Sequence, residues 1–97
     1  MDLKYEGGMN WDMYRDIHAA CFEIAKRKNA AYGTKGLLSF KGLSILIRMN
    51  DKIDRLNNLM ENPELDILKD ETIEDTLMDL INYSTYFIML RRGGGIQ

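Results

Sequence analysis

Between residues 72 and 92 the chain reads TIEDTLMDLINYSTYFIMLRR, with no Gly and no Pro for 21 positions. Ile73, Leu77, Leu80, Ser84, Phe87 and Ile88 recur at spacings of three and four, which is the stripe of a helix. Asp70 or Thr72 is placed to cap its start, and Arg91-Arg92 followed by Gly93 to Gly95 marks its end. Met78, Tyr83, Tyr86, Met89 and Leu90 add apolar surface outside that stripe, so this helix is expected to be covered on several sides. Two further segments share the pattern. One runs from Trp11 to Ala31, with Asn10 as N-cap and the stripe Tyr14, Ile17, Cys21, Ile24 and Ala25. The other runs from Phe40 to Met60, with the stripe Leu46, Met49, Ile53, Leu56 and Met60. Ser44 to Ile47 is branched and apolar but sits inside a helical pattern, so no strand is assigned. The expected fold is all-α, with three long helices in one domain spanning 1–97. Residues 1–9 form a leader and 93–97 a flexible tail. Two helices packed on a second copy would complete a bundle, so a homodimer or tetramer is expected.

Composition supports this reading. With 97 residues and 45% hydrophobic against 29% charged residues, the chain has a globular balance and a small core. One proline and seven methionines suit long helices with adaptable packing. A single cysteine excludes an internal disulfide framework and places the chain in the reducing cytoplasm. A net charge of −2 offers no general field for nucleic acid, and direct nucleic-acid binding is not expected. No apolar run approaches the ~20 residues of a membrane span, and MDLKYEGGMN is no signal peptide.

The third segment also carries the residues most suggestive of chemistry. At ~100° per residue, Glu71, Asp75, Asp79, Asn82 and Tyr86 fall on one narrow strip. Glu71, Asp75 and Asp79 stack four apart, and each such like-charge pair costs an isolated helix roughly 0.2–0.5 kcal/mol. Periodicity alone favours a solvated face opposite the apolar stripe, with the first-turn acids explained by the helix dipole. On that view Asp79→Asn would be nearly silent. The functional account gathers the carboxylates around a cation, so that without metal they strain the fold and Asp79→Asn leaves it as stable or more so. On the second segment Arg48, Asp51, Lys52 and Arg55 share a charged strip. They form a surface ladder of ion pairs, or a metal ligand (Asp51) among phosphate-binding cations. Lys26-Arg27-Lys28-Asn29 with Tyr32-Gly33 is a basic helix end with a glycine exit, or a site where Tyr32 stacks on a base while Lys28 and Lys35 meet phosphates. His18 is expected to be a packed or surface residue rather than a base, and Cys21 a small core residue. No Gly-rich phosphate loop or HExxH pattern occurs.

Three blocks together resemble a known family. Residues 28–33, KNAAYG, are similar to a KNxDYG motif. Residues 42–56, GLSILIRMNDKIDRL, are similar to GIxxRxxDKxxRL, and residues 70–83, DETIEDTLMDLINY, to DExxxDTLxDLxNY. In this order they resemble the nucleotide-modification-associated domain (first type) of phages and prokaryotes, related to the all-α nucleoside triphosphate pyrophosphatases of the MazG type. The resemblance implies a helical oligomer that holds Mg2+ on Asp51, Glu71, Asp75 and Asp79 and cleaves a canonical or modified nucleoside triphosphate between its α- and β-phosphates. It places Arg48, Lys52 and Arg55 at the reacting phosphates, and Lys28, Asn29, Tyr32 and Asn82 around the nucleotide. Ala31 stands where the first motif has an acid, and Arg48 with Asp51 where the MazG-type relatives have an ExxE pair. The alternative is a non-catalytic module that binds nucleotides or proteins within a nucleotide-modification system.

Overall fold

The computed structural model describes residues 7–67 and 72–93. Among them are three α-helices and no strand: α1 (Trp11–Tyr32), α2 (Leu43–Glu61) and α3 (Ile73–Arg91), with 3-10 turns at Ser39–Gly42 and Pro63–Ile67. Most of the expected leader and tail, together with Asp70 and Glu71, lies outside the described residues. No described helix is long and apolar enough to cross a membrane.

Both expected caps are made. Asn10 Oδ1 accepts from the Met13 N–H at 3.0 Å, and Thr72 Oγ1 from the Asp75 N–H at 3.0 Å, each relieving an orphan first-turn donor. The second helix starts three residues later than its pattern suggests. Phe40, Lys41 and Gly42 all take left-handed backbone angles, with φ of 56°, 56° and 91°. For Phe40 and Lys41 that geometry costs about 1–2 kcal/mol each. The turn seats Gly42 against α3, where a Cβ would lie 2.8 Å from Leu90 Cδ2 and 2.9 Å from Phe87 Cε2. Glycine is therefore required there for both its angle and its size.

α3 lies between the other two helices, packing on α2 along one side and on α1 along another. The faces turned inward differ from the apolar stripes read in the sequence. On α2 the buried residues are Ile45 and Leu59, with Met49, Lys52 and Leu56 half-buried between them, while Leu46, Ile53 and Met60 are exposed. On α3 the buried residues are Thr76 and Asn82, while Leu77 and Ile88 face outward. On α1 only Cys21 is buried, and Tyr14 and Ile17 stand exposed beyond the packed region. Each inward polar group is satisfied: Thr76 Oγ1 donates to the Thr72 carbonyl at 2.8 Å, and Asn82 Nδ2 to the Cys21 carbonyl at 3.0 Å, tying α3 to α1. The strip that held Asp79 and Asn82 is thus the helix's inner face, and much of its apolar surface is left unpartnered.

Candidate functional site

Asp79 sits where the three helices meet. Its side chain is 15% exposed, and both of its oxygens are engaged. Lys28 Nζ, from the last turns of α1, donates to Oδ1 at 2.7 Å, and Lys52 Nζ, from the middle of α2, lies 3.2 Å from Oδ2. One carboxylate on α3 therefore holds an ammonium group from each of the other two helices. A half-buried charge is tolerated only with such partners. Burial pushes the Lys28 ammonium toward its neutral form, but the hydrogen bond and charge of Asp79 prevail and hold its pKa above the usual lysine range.

Beside this junction opens a cleft of about 390 Å3, lined by Lys28, Asn29, Tyr32, Arg48, Asp79 and Asn82, with Leu37, Tyr83 and Tyr86 closing its sides. Lys28 and Arg48 already outnumber the one carboxylate in its lining, before Lys52 is counted. The cleft is therefore a positive field inside an acidic protein, suited to an anion. Tyr83 and Tyr86 meet edge to face with centroids 6.2 Å apart. Burial, opposed by Lys28 and aided by Tyr83 and Asp79, raises the Tyr86 phenol and keeps it a hydrogen-bond donor.

The structure gathers some of the residues named above and separates others. Lys28, Asn29, Tyr32, Asn82, Arg48 and Asp79 share the cleft, and Lys52 reaches it through Asp79. Tyr32 stands at the rim, 85% exposed. Arg55 is exposed and lies outside the cleft lining, as do Asp51 and Asp75. Glu71 falls outside the described residues. Among the described residues no three acidic, histidine or cysteine side chains converge to hold a metal ion. The one carboxylate in the cleft lining is already paired with two ammonium groups. By sequence Tyr86 falls on the strip of Asp79 without a role, and Tyr83 counts only as apolar surface, although they follow Asp79 by seven and four positions and so lie along the same helix face.

Cys21 is a buried packing residue, and His18 lies on the exposed surface of α1. The Cys21 thiol is buried and raised above its ordinary pKa by that burial and by the Asp79 charge, which suppresses the thiolate. His18 stacks on Tyr14 at 4.6 Å. Comparison with protein-family models, curated proteins and solved structures finds no match to this chain.

Proposed function

We propose that the cleft between α1, α2 and α3 binds the phosphates of a canonical or modified (deoxy)nucleoside triphosphate. The observation that carries this reading is the convergence of Lys28, Lys52 and Arg48 on one partly buried site around Asp79. Charge-assisted hydrogen bonds to phosphate oxygens are among the stronger polar contacts available to a protein. Lysines held in place before the ligand arrives lose little side-chain freedom on binding.

The reaction consistent with the resemblance is magnesium-dependent pyrophosphohydrolysis. Lys28, Lys52 and Arg48 would hold the triphosphate and offset charge that develops on it. Magnesium would enter with the triphosphate; of the carboxylates expected to hold it, Asp79 lines the cleft and Glu71 lies outside the described residues. The second reading, a non-catalytic nucleotide-binding module, draws support from Asp51 and Asp75, which are exposed and outside the cleft lining. Self-association belongs to both readings. Trp11, Phe22, Leu46, Ile47, Ile53 and Met60 are all exposed, apolar surface that a second copy would cover.

A panel of nucleoside and deoxynucleoside triphosphates with magnesium, followed by calorimetry for binding and by pyrophosphate release for turnover, tests these readings. Binding with turnover supports the enzyme. Binding alone supports the module, and no binding by any member of the panel removes both.

A further inference from the structure

A second cavity of about 400 Å3 opens between α1, the loop after it and α3. That is within the ~300–1,000 Å3 of typical small-molecule pockets. Phe22, Leu38, Ile81 and Met89 make its walls largely apolar. Asn29, Leu37, Asn82 and Tyr86 line both this cavity and the cationic cleft, so the two are adjoining compartments with a shared wall.

The shared wall carries polar atoms that the fold does not use. Asn82 Nδ2 donates to the Cys21 carbonyl, which fixes the amide's orientation and leaves Oδ1 as an acceptor. Among the described residues no buried side-chain nitrogen or oxygen lacks a partner. Oδ1 has no donor among them either, so it must reach open space, and the space beside it is these two compartments. Asn29 is oriented in the same way: its Oδ1 accepts from Thr34 Oγ1 at 2.7 Å, which leaves Nδ2 as a donor. The boundary between the compartments therefore offers one donor and one acceptor.

We propose that the apolar cavity is the base compartment for the nucleotide whose phosphates lie in the cationic cleft. The ligand class is a nucleobase: a flat ring with apolar faces that carries a donor and an acceptor on one edge. A saturated lipid tail would leave both amide groups without partners, and a simple anion would leave the apolar walls wet. Phe22 and Met89 supply the faces for the ring, and the Asn29 and Asn82 amides supply its edge contacts. Tyr32, the residue expected from sequence to stack on the base, is exposed at the rim of the cleft and does not line this cavity. The inference rests on the phosphate reading of the cleft, and the test separates the two.

The wild-type protein is titrated by calorimetry with inorganic tripolyphosphate and with deoxynucleoside triphosphates, and the Met89 methyl resonance is followed while a deoxynucleoside without phosphate is added. Base stacking and edge contacts should make a deoxynucleoside triphosphate bind about tenfold more tightly than tripolyphosphate, or better. The deoxynucleoside alone should move the Met89 methyl. Ala25 lines the apolar cavity and not the cleft, so Ala25→Phe should bring deoxynucleoside triphosphate affinity down to that of tripolyphosphate and leave the latter unchanged. Equal wild-type affinities, or a Met89 resonance that ignores the deoxynucleoside, overturn the base compartment while leaving the phosphate reading in place. A Met89 shift that follows protein dilution instead puts a side chain of a second copy in the cavity and also overturns it. Failure of tripolyphosphate to bind removes the phosphate reading and this inference with it. If Ala25→Phe does not fold, the wild-type comparisons still decide.

Discussion

Replacing Asp79 with Asn removes one negative charge from the junction of three helices and leaves two ammonium groups facing a neutral amide. The stacked carboxylates read from sequence suggest that this change is neutral or stabilising, and the two lysines reverse the sign. The Lys52 pair carries most of the effect, because its side chain is only 19% exposed and that of Asp79 15%. A partly covered ion pair of this kind lies between an exposed one, worth at most ~1 kcal/mol, and a buried one, where loss of a partner costs about 3–5 kcal/mol. Lys28 is 51% exposed, so water screens its share, which adds at most ~1 kcal/mol. The substituted amide can still accept one hydrogen bond, and a net loss of about 2 kcal/mol is expected from these terms. For a chain of this length that lowers Tm by roughly 8–16 °C. The same variant should bind tripolyphosphate more tightly, since the carboxylate no longer repels the ligand or competes for the lysines. Thermal melts by circular dichroism at one protein concentration and constant ionic strength, each with no addition, with magnesium, and with tripolyphosphate, measure both effects. An unchanged or higher Tm for Asp79→Asn would refute the argument. So would a magnesium-dependent rise in the wild-type Tm without nucleotide, because it would mean that a cation displaces both lysines from Asp79.

Lys28→Gln should weaken tripolyphosphate binding by about tenfold or more while lowering Tm by only a few degrees, since an exposed pair contributes little to stability; calorimetry beside a melt checks the split. Lys28 and Tyr86 both hold their protons more tightly in the folded chain than in the unfolded one, whose reference values are 10.5 and 10.0. Their contribution is complete below those values and is lost as pH rises through the folded pKa values, so urea melts should be level from about pH 7 to 9 and weaken above about pH 10. Lys28→Gln should remove the lysine's part of that alkaline loss and leave the tyrosine's, which the Lys28 charge opposes in the wild type. Light scattering at micromolar concentration should give a dimer or tetramer, and a monomer would show that the exposed faces of α2 and α3 need no partner.

The sequence makes the helices legible because their periodicity, their caps and the scarcity of proline all agree, and Asn10 and Thr72 cap where the pattern places them. It misplaces the start of α2 because nothing in Ser39-Phe40-Lys41 announces left-handed backbone at two ordinary residues. That geometry accompanies the close approach of Gly42 to Phe87 and Leu90, a contact between residues far apart in the chain. Helix orientation is the deeper difficulty. α3 is apolar on nearly every side, so its stripe does not say which face turns inward, and the inward face proves to be the one bearing Thr76, Asp79 and Asn82. On α2 the inner face Ile45, Met49, Lys52, Leu56 and Leu59 contains a lysine, which a hydrophobicity count places outside. That lysine is inward because its partner Asp79 is on the facing helix, a relation no local window contains. Lys28, Asn29, Arg48 and Asn82 are found together because each lies on a helix end or face that the fold brings to one cleft. Asp51 and Asp75 share helices with site residues but are exposed and lie outside the cleft lining.

Asp79 has opposite effects on the fold and on the ligand, and this follows from simple electrostatics. Two ammonium groups brought to one partly buried point repel each other, and without a counter-charge the α1 and α2 ends of the cleft would be pushed apart. A carboxylate built into α3 removes that repulsion and keeps the lysines assembled while no ligand is bound. The same carboxylate then competes with any phosphate for the two lysines, so affinity is lower than the cations alone would allow. A phosphate that approaches through Arg48 can be shared with Lys28 while Lys52, the more covered of the pair, stays on Asp79. Lys28 is thus the group that exchanges and Lys52 the one that anchors. Lys28→Gln and Lys52→Gln should therefore separate, the first weakening ligand binding at little expense of fold and the second lowering Tm more than affinity. Equal effects from the two lysines would show that the pair acts as one unit, and that Asp79 gives up both of them when an anion binds.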